Sequence, residues 1–361
     1  MKYIITNFGP TYPLGIGGGS LSNIDLSKLL QRLGNEVTNL GFFEQENFSE
    51  YIENFKKAQK LSIVKGSIYN YYCFNKINCI NKSWEEYLRA LDYLSSSNNT
   101  VLIFRPYNII AKDNIGLWNG RFVFWNNDFD INRAKEGVKI AREQKGRVVV
   151  ISKMLKEMMD KKYGIKADVV HSVIDWKNLR MAPKNHFKNK KRKPIIGLPN
   201  PNRFKFGSLP LKIIDSLPDY TFFVVTAWGW EEESLMKLKS RKNVVLLRNI
   251  VDVGSFYKAI DILLVPTILP ESYPRFIQEA LYLRIPIVAS AIGELPEFIG
   301  SSGILVKSNN VKLWKSAVNS TINIPFSELE KGRIKIKDFQ KNAFSTMEKY
   351  FTKFSNEVNN T

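Results

Sequence analysis

Short apolar runs recur along the chain, each bounded by turn residues and separated from the next by a helical pattern. "KYIIT" (2–6), "EVTNLGF" (36–42), "TVLIF" (100–104), "RFVFW" (121–125), "RVVVIS" (147–152) and "ADVVH" (167–171) mark the first half. "KPIIGLPN" (193–200), "TFFVVT" (221–226), "NVVLL" (243–247), "DILLVP" (261–266) and "IPIVAS" (285–290) mark the second. Strands this rich in Val, Ile and Leu carry apolar side chains on both faces, the pattern of parallel sheets covered on each side by helices. The helices are legible too. One spans roughly 21–33, with Leu21, Ile24, Leu29, Leu30 and Leu33 on one stripe before Gly34-Asn35. Ser83 and Glu86 have capping-box spacing, and "KMLKEMMDKKY" runs between Ser152 and Gly164. A long amphipathic helix is expected from about 326 to 358.

At 361 residues the chain exceeds one ordinary core. The alternation restarts after 171–193, a stretch with eight Lys and Arg against one Asp, which holds over a third of the net charge of +19. The expected fold class is therefore α/β. Two Rossmann-like domains, 1–172 and 194–338, are joined by a basic linker, 173–193, and face each other across a cleft. The C-terminal helix, 339–361, packs towards the N-domain. Ligands of such sheets bind beyond the carboxyl ends of the strands. The stretch 41–80 gives the least definite pattern.

Composition narrows the function classes. Hydrophobic and charged contents of 44% and 24% are those of a soluble globular protein. No apolar run reaches membrane-spanning length, and "MKYIITNFGP" reads as an opening strand rather than a signal peptide. Cys73 and Cys79 form neither a disulfide framework nor half of a metal site, which points to the cytoplasm. The basic excess fits a solvated linker, an anionic membrane face (peripheral association), anionic substrates or nucleic acid. Nucleic acid is disfavoured, because no aromatic residues interleave "KNKKRK" (188–193).

Two stretches carry candidate chemistry. "GIGGGS" (15–20) lies between a strand and a helix, where Gly17, Gly18 and Gly19 would let a ligand approach the backbone and the helix N-terminus. A merely tight turn reads equally well. Glu271 follows the strand "DILLVP", Pro274 suits a helix start, and Glu279 lies within that helix. A carboxylate can accept from two vicinal hydroxyls, the helix tip between the glutamates suits a phosphate, and Arg275 adds a charge-assisted contact.

The segment "DILLVPTILPESYPRFIQEALYLRIPIVASAIGELPEFIGSSGILV" (261–306) resembles the donor-site signature of retaining GT-B glycosyltransferases, specifically glycosyltransferase family 4. It has the E-x7-E pair, Glu279-Ala280, Pro286, Ala289-Ser290, Gly293 and Pro296-Glu297. "YPLGIGGGSLSNIDLSKLLQRLGNEVTNL", "VVVISKMLKEMMDKKYGIKADVVHSVID" and "NIVDVGSFYKAIDILLVP" extend the likeness over most of the chain. The resemblance implies a nucleotide-diphosphate sugar (UDP- or GDP-linked) as donor and a sugar, glycan or lipid-linked hydroxyl as acceptor, with no metal and no cofactor. Glu279 would hold the ribose hydroxyls and Glu271 those of the donor sugar. Amides near Arg275 and Phe276, with the Gly17–Gly19 loop, would meet the diphosphate. Arg203 and Lys205 would supply the cation that stabilises the departing diphosphate.

The sequence also departs from the family. The family's arginine position after the first C-domain strand looks neutral, and neither His171 nor His186 matches its N-domain histidine. Loops "RPYN" (105–108) and "WNND" (125–128) stand there instead, with Asn127 and Asp128 as acceptor-side candidates. "DFD" (128–130) resembles the metal motif of the unrelated GT-A fold, but Asp130 reads as a helix start. The rivals are a nucleotide-sugar epimerase and a catalytically degenerate GT-B scaffold that binds nucleic acid or a membrane surface.

Overall fold

The computed structural model describes all residues except 8, 44, 74, 75, 96–98, 106–120, 177, 178, 180–192, 228, 230, 249, 360 and 361. Most of the basic linker, the run 188–192, His186 and loop positions 106–108 therefore lie outside the described residues. The chain divides into two compact units, Met1–Ile174 with Lys341–Thr361, and Asp175–Gln340.

The first unit is built on a nine-stranded sheet. In chain order its strands are β1 (Lys2–Thr6), β2 (Glu36–Phe42), β3 (Val64–Gly66), β4 (Asn70–Cys73), β5 (Ile77–Lys82), β6 (Thr100–Phe104), β7 (Phe122–Asn126), β8 (Arg147–Val150) and β9 (Asp168–Val169). Their spatial order is β3-β4-β5-β2-β1-β6-β7-β8-β9. All pairings from β5 to β9 are parallel, whereas β3 and β4 join antiparallel. That edge accounts for the indefinite pattern of 41–80, since a short hairpin adds strands without crossover helices. Every residue of β6 and β7 is buried, as expected for strands covered on both faces.

The second unit carries a six-stranded, wholly parallel sheet. Its strands are β10 (Ile195–Pro199), β11 (Thr221–Thr226), β12 (Val244–Arg248), β13 (Ile262–Val265), β14 (Ile287–Ser290) and β15 (Gly303–Val306), ordered β12-β11-β10-β13-β14-β15. Strand β13 shows why alternation is absent in the sequence. Leu263 and Val265 enter one apolar cluster, and Ile262 and Leu264 enter the cluster on the opposite face. Edge strand β12 instead has no fully buried position.

The capping signals act locally as read. Ser83 and Glu86 bond reciprocally, each side chain meeting the other's backbone N–H at 3.4 Å. Ser152 accepts from the Leu155 N–H at 3.2 Å, and Gly164, in the left-handed region at φ 60°, ends the same helix. The C-terminal helix runs from Phe326 to Asn359. Ile336 belongs to the core of the second unit. Phe351 packs in the first unit between the rings of Tyr3 and Trp125, and Ser355 bonds the Tyr3 hydroxyl at 2.7 Å. No helix among the described residues is long and apolar enough to cross a membrane.

Candidate active site

In the second unit the strand order reverses between β10 and β13, so the loops leaving these neighbours diverge and open a crevice at their carboxyl ends. The loop after β10 turns through Asn200, whose φ is 45°, and enters a short helix, Arg203–Phe206. Asn202 starts that helix by accepting from the Lys205 N–H at 3.0 Å, and buried Phe206 anchors it. This fixes the two basic residues differently. Lys205 turns towards the loop after β13, and its ammonium lies 2.8 Å from Oε1 of Glu271, with both side chains largely buried. Arg203 points outward, 74% exposed, and meets Glu231 at 3.7 Å. Of the two cations, only Lys205 is paired with Glu271.

The two loops are also joined through the backbone. The carbonyl of Lys205 accepts from the Ile268 N–H at 2.9 Å and from the Thr267 hydroxyl at 3.2 Å. Behind Glu271 stands Gly293, at φ 59°; a Cβ there would lie 2.7 Å from both the backbone nitrogen and oxygen of Glu271. Only glycine suits both the conformation and the contact. The Glu294 N–H then bonds the Glu271 carbonyl at 3.0 Å. Glu271 is thus held by three loops, those after β10, β13 and β14.

The helix Arg275–Tyr282 begins immediately beyond, with Pro274 at its N-cap. The N-terminal end of a helix carries partial positive charge, and here the Ile277 N–H turns back to the Pro274 carbonyl at 3.2 Å. Glu279 lies one turn in and is 4% exposed. Its Oε1 accepts from Nε of Arg275 at 2.7 Å, and its Oε2 from the hydroxyl of Tyr257 at 2.8 Å. Burial, and then the charge of Glu279, push the Tyr257 phenol well above its ordinary value, so it stays a donor. Each carboxylate oxygen has a second lone-pair direction, which leaves Glu279 able to accept further hydroxyls. Tyr257 carried no signal in the sequence beyond the matching stretch "SFYKAIDILLVP"; its partner lies 22 positions away, on another helix.

The candidates of the first unit lie around the carboxyl ends of β1, β6 and β7. Gly17 caps the helix Gly18–Arg32 in extended conformation. Gly15 is demanded by packing, since a Cβ would fall 2.2 Å from the Pro10 carbonyl oxygen. Gly18 faces open space, and Gly19 meets only the Asn127 side-chain nitrogen, 3.7 Å from where its Cβ would sit. Gly19 and Asn127 are therefore brought together. Asp128 is committed to a turn: Oδ1 accepts from the Asp130 N–H at 3.0 Å, and Oδ2 lies 3.8 Å from Arg133. Asp130 starts the following helical turn by accepting from the Asn132 N–H at 3.2 Å, as its sequence context suggests. No cluster of three or more potential metal ligands occurs among the described residues. His171 donates through Nδ1 to the Ile151 carbonyl at 2.8 Å.

Comparison with known proteins fits this architecture. Residues 210–323 match the family model described as Glycosyl transferases group 1. No curated protein matches the chain. Among solved structures, a glycosyltransferase from Rickettsia africae ESF-5 aligns over 99% of this chain and 98% of its own, with TM-score 0.64 and 16% identity. Sucrose-phosphate synthase from Thermosynechococcus elongatus aligns over 98% of each chain, with TM-score 0.70 and 14% identity. Anabaena HepE in complex with UDP-glucose aligns over 98% of this chain and 100% of its own, with TM-score 0.64 and 14% identity. At these identities the likeness is one of fold. The chain thus has the two-domain GT-B fold of glycosyltransferases and carries a glycosyl transferases group 1 domain within its second unit.

Proposed function

We propose that the protein transfers a sugar from a nucleotide-diphosphate sugar, UDP- or GDP-linked, to a hydroxyl acceptor, with retention at the anomeric carbon and without a metal or other cofactor. The observation that carries this reading is the Lys205–Glu271 pair, 2.8 Å apart at the switch point and one short loop from Glu279. An ammonium and two carboxylates around a helix tip match the parts of a sugar nucleotide. Glu279, oriented by Arg275 and Tyr257, accepts the ribose hydroxyls, and Glu271 accepts those of the donor sugar. The amides of Arg275 and Phe276 meet the diphosphate, and the open face at Gly18 makes the Gly17–Gly19 loop of the first unit a further candidate for contact with the donor.

Breaking the anomeric C–O bond sends its electron pair to the diphosphate. Lys205 stabilises that growing charge, and Arg203 adds positive potential from the rim. The acceptor oxygen bonds to the anomeric carbon, and its proton passes to an oxygen of the leaving phosphate. Asn127 and Asp128 are the acceptor-side candidates. The net charge of +19 favours acceptors that carry negative charge, or lipid-linked ones at an anionic membrane face, where a cytoplasmic protein would associate peripherally.

A panel of UDP- and GDP-sugars tests the reading. One donor should be hydrolysed slowly without acceptor, and NMR of the early product should show the starting anomeric configuration. Glu279→Ala should abolish stabilisation by the matching nucleotide. Absence of binding and turnover across the panel would refute the proposal.

A further inference from the structure

Arg105 directly follows β6, the neighbour of β1 where the strand order of the first unit reverses. Arg105 is buried, with 5% of the residue exposed. Nε and Nη2 both donate to Oδ1 of Asn23, at 2.9 and 2.6 Å, and the guanidinium carbon lies 4.9 Å from the centre of the Trp125 ring. Neither partner is charged. Nη1 has no hydrogen-bond partner among the described residues, and neither has Nδ2 of Asn7. Asn7 follows β1 directly, and its Oδ1 accepts from the Asn23 amide at 2.7 Å. Three linked side chains at the ends of adjacent strands thus hold two spare donors, one of them on a cation.

A buried ion without a counterion costs several kcal/mol, and buried charges are ordinarily paired. Burial alone pushes the Arg105 guanidinium down to about 9, which leaves it charged at neutral pH. No ion pair between Arg105 and a carboxylate occurs among the described residues. We infer that Arg105, with Asn7 and Asn23, binds an anionic group, a phosphate or carboxylate carried by the acceptor, at the carboxyl edge of this sheet. The word acceptor rests on the transferase reading; the anion site does not. A guanidinium edge is suited to such oxyanions, and a neutral amide partner leaves its charge uncommitted.

The test is a calorimetric titration of sodium phosphate, and separately of sodium acetate, at constant ionic strength. It compares wild type, Arg105→Gln, Asn23→Asp and Lys205→Ala. Asn23→Asp is nearly isosteric and gives Arg105 an internal carboxylate; the spare Nδ2 of Asn7 can turn to meet the new oxygen, while the 3.3 Å hydrogen bond from Asn23 to the Thr6 carbonyl is lost. It should melt no lower than Arg105→Gln in the absence of phosphate. Wild type and Lys205→Ala should bind phosphate or acetate alike, and Arg105→Gln and Asn23→Asp should bind at least tenfold more weakly. The tighter of the two anions names the acceptor's group. Failure of both anions to bind wild type, or equal affinity in Asn23→Asp and wild type, would overturn the inference. So would binding lost only in Lys205→Ala, which would locate it in the second unit and leave the transferase reading intact. Binding that depends on Arg105 in a protein no nucleotide stabilises would keep the anion site and remove the transferase reading instead.

Discussion

The switch points of the two sheets meet the same topological demand with opposite arrangements of charge. In the second unit each inward cation faces a carboxylate: Lys205 meets Glu271, and Arg275 meets Glu279. In the first unit, among the described residues, Arg105 faces the amide oxygen of Asn23 and an indole ring but no carboxylate. Balanced pairs hold the loops after β10 and β13 in register, and on the proposed function an incoming diphosphate would compete with Glu271 for Lys205. Arg105 has no carboxylate partner among the described residues, so on the inference above an anion there completes a contact rather than exchanging one. Preorganisation and vacancy are two ways to prepare a site, and they respond differently to substitution.

The largest contrast should come from Lys205→Ala. Removing the cation aimed at developing charge typically costs about 100- to 1000-fold in turnover. Nucleotide affinity should fall far less, and single-turnover kinetics beside equilibrium titration separates the two. A comparable loss in binding alone would assign Lys205 to the ground state. Next is Glu279→Ala, which leaves Arg275 and the buried Tyr257 hydroxyl without their shared carboxylate. Breaking such a pair costs about 3 kcal/mol, a fall in Tm on the order of 10 °C for a unit this size. Glu271→Ala, at a less enclosed pair, should cost less stability.

The glycines sharpen the comparison further. Gly293→Ala forces a Cβ against the Glu271 backbone at a left-handed φ, and should lower stability by about 2 kcal/mol and donor turnover with it. Gly18→Ala meets nothing in its own unit, and should leave stability unchanged or raise it by up to about 1 kcal/mol while weakening donor binding. A Gly18 variant with full donor affinity would confine this loop to a structural turn.

The smallest effect is one of pH. The Tyr257 phenol is held above its ordinary value of 10.0, so its contribution to stability is complete below pH 10 and is lost as the pH rises towards its folded value. Each pH unit above 10 removes at most about 1.4 kcal/mol. Denaturant midpoints measured across this range should fall less in Tyr257→Phe than in wild type.

How much of this was legible beforehand follows from burial. Strands such as β13, apolar on both faces, announce themselves as short unbroken runs between helices, and the doubly wound order follows from their spacing. The β3–β4 edge did not, because "VKG" and "NYYC" are short, half-exposed and joined by a hairpin. Within the site, the E-x7-E spacing exposed Glu271 and Glu279. The sequence could not decide between Arg203 and Lys205, two positions apart, because burial of Phe206 sets which one turns inward. Tyr257 and Asn23 stayed hidden for a related reason: each acquires its part from a partner on a different element, and pattern within one segment carries no trace of that.

The most direct test is calorimetric titration of UDP and GDP into wild type, Glu279→Gln and Arg241→Gln, whose surface pair with Asp215 lies in the same unit. One nucleotide should bind wild type and Arg241→Gln alike and bind Glu279→Gln at least tenfold more weakly. Equal affinity for all three proteins, or none for any, would contradict the assignment of the β10–β13 crevice as a sugar-nucleotide site.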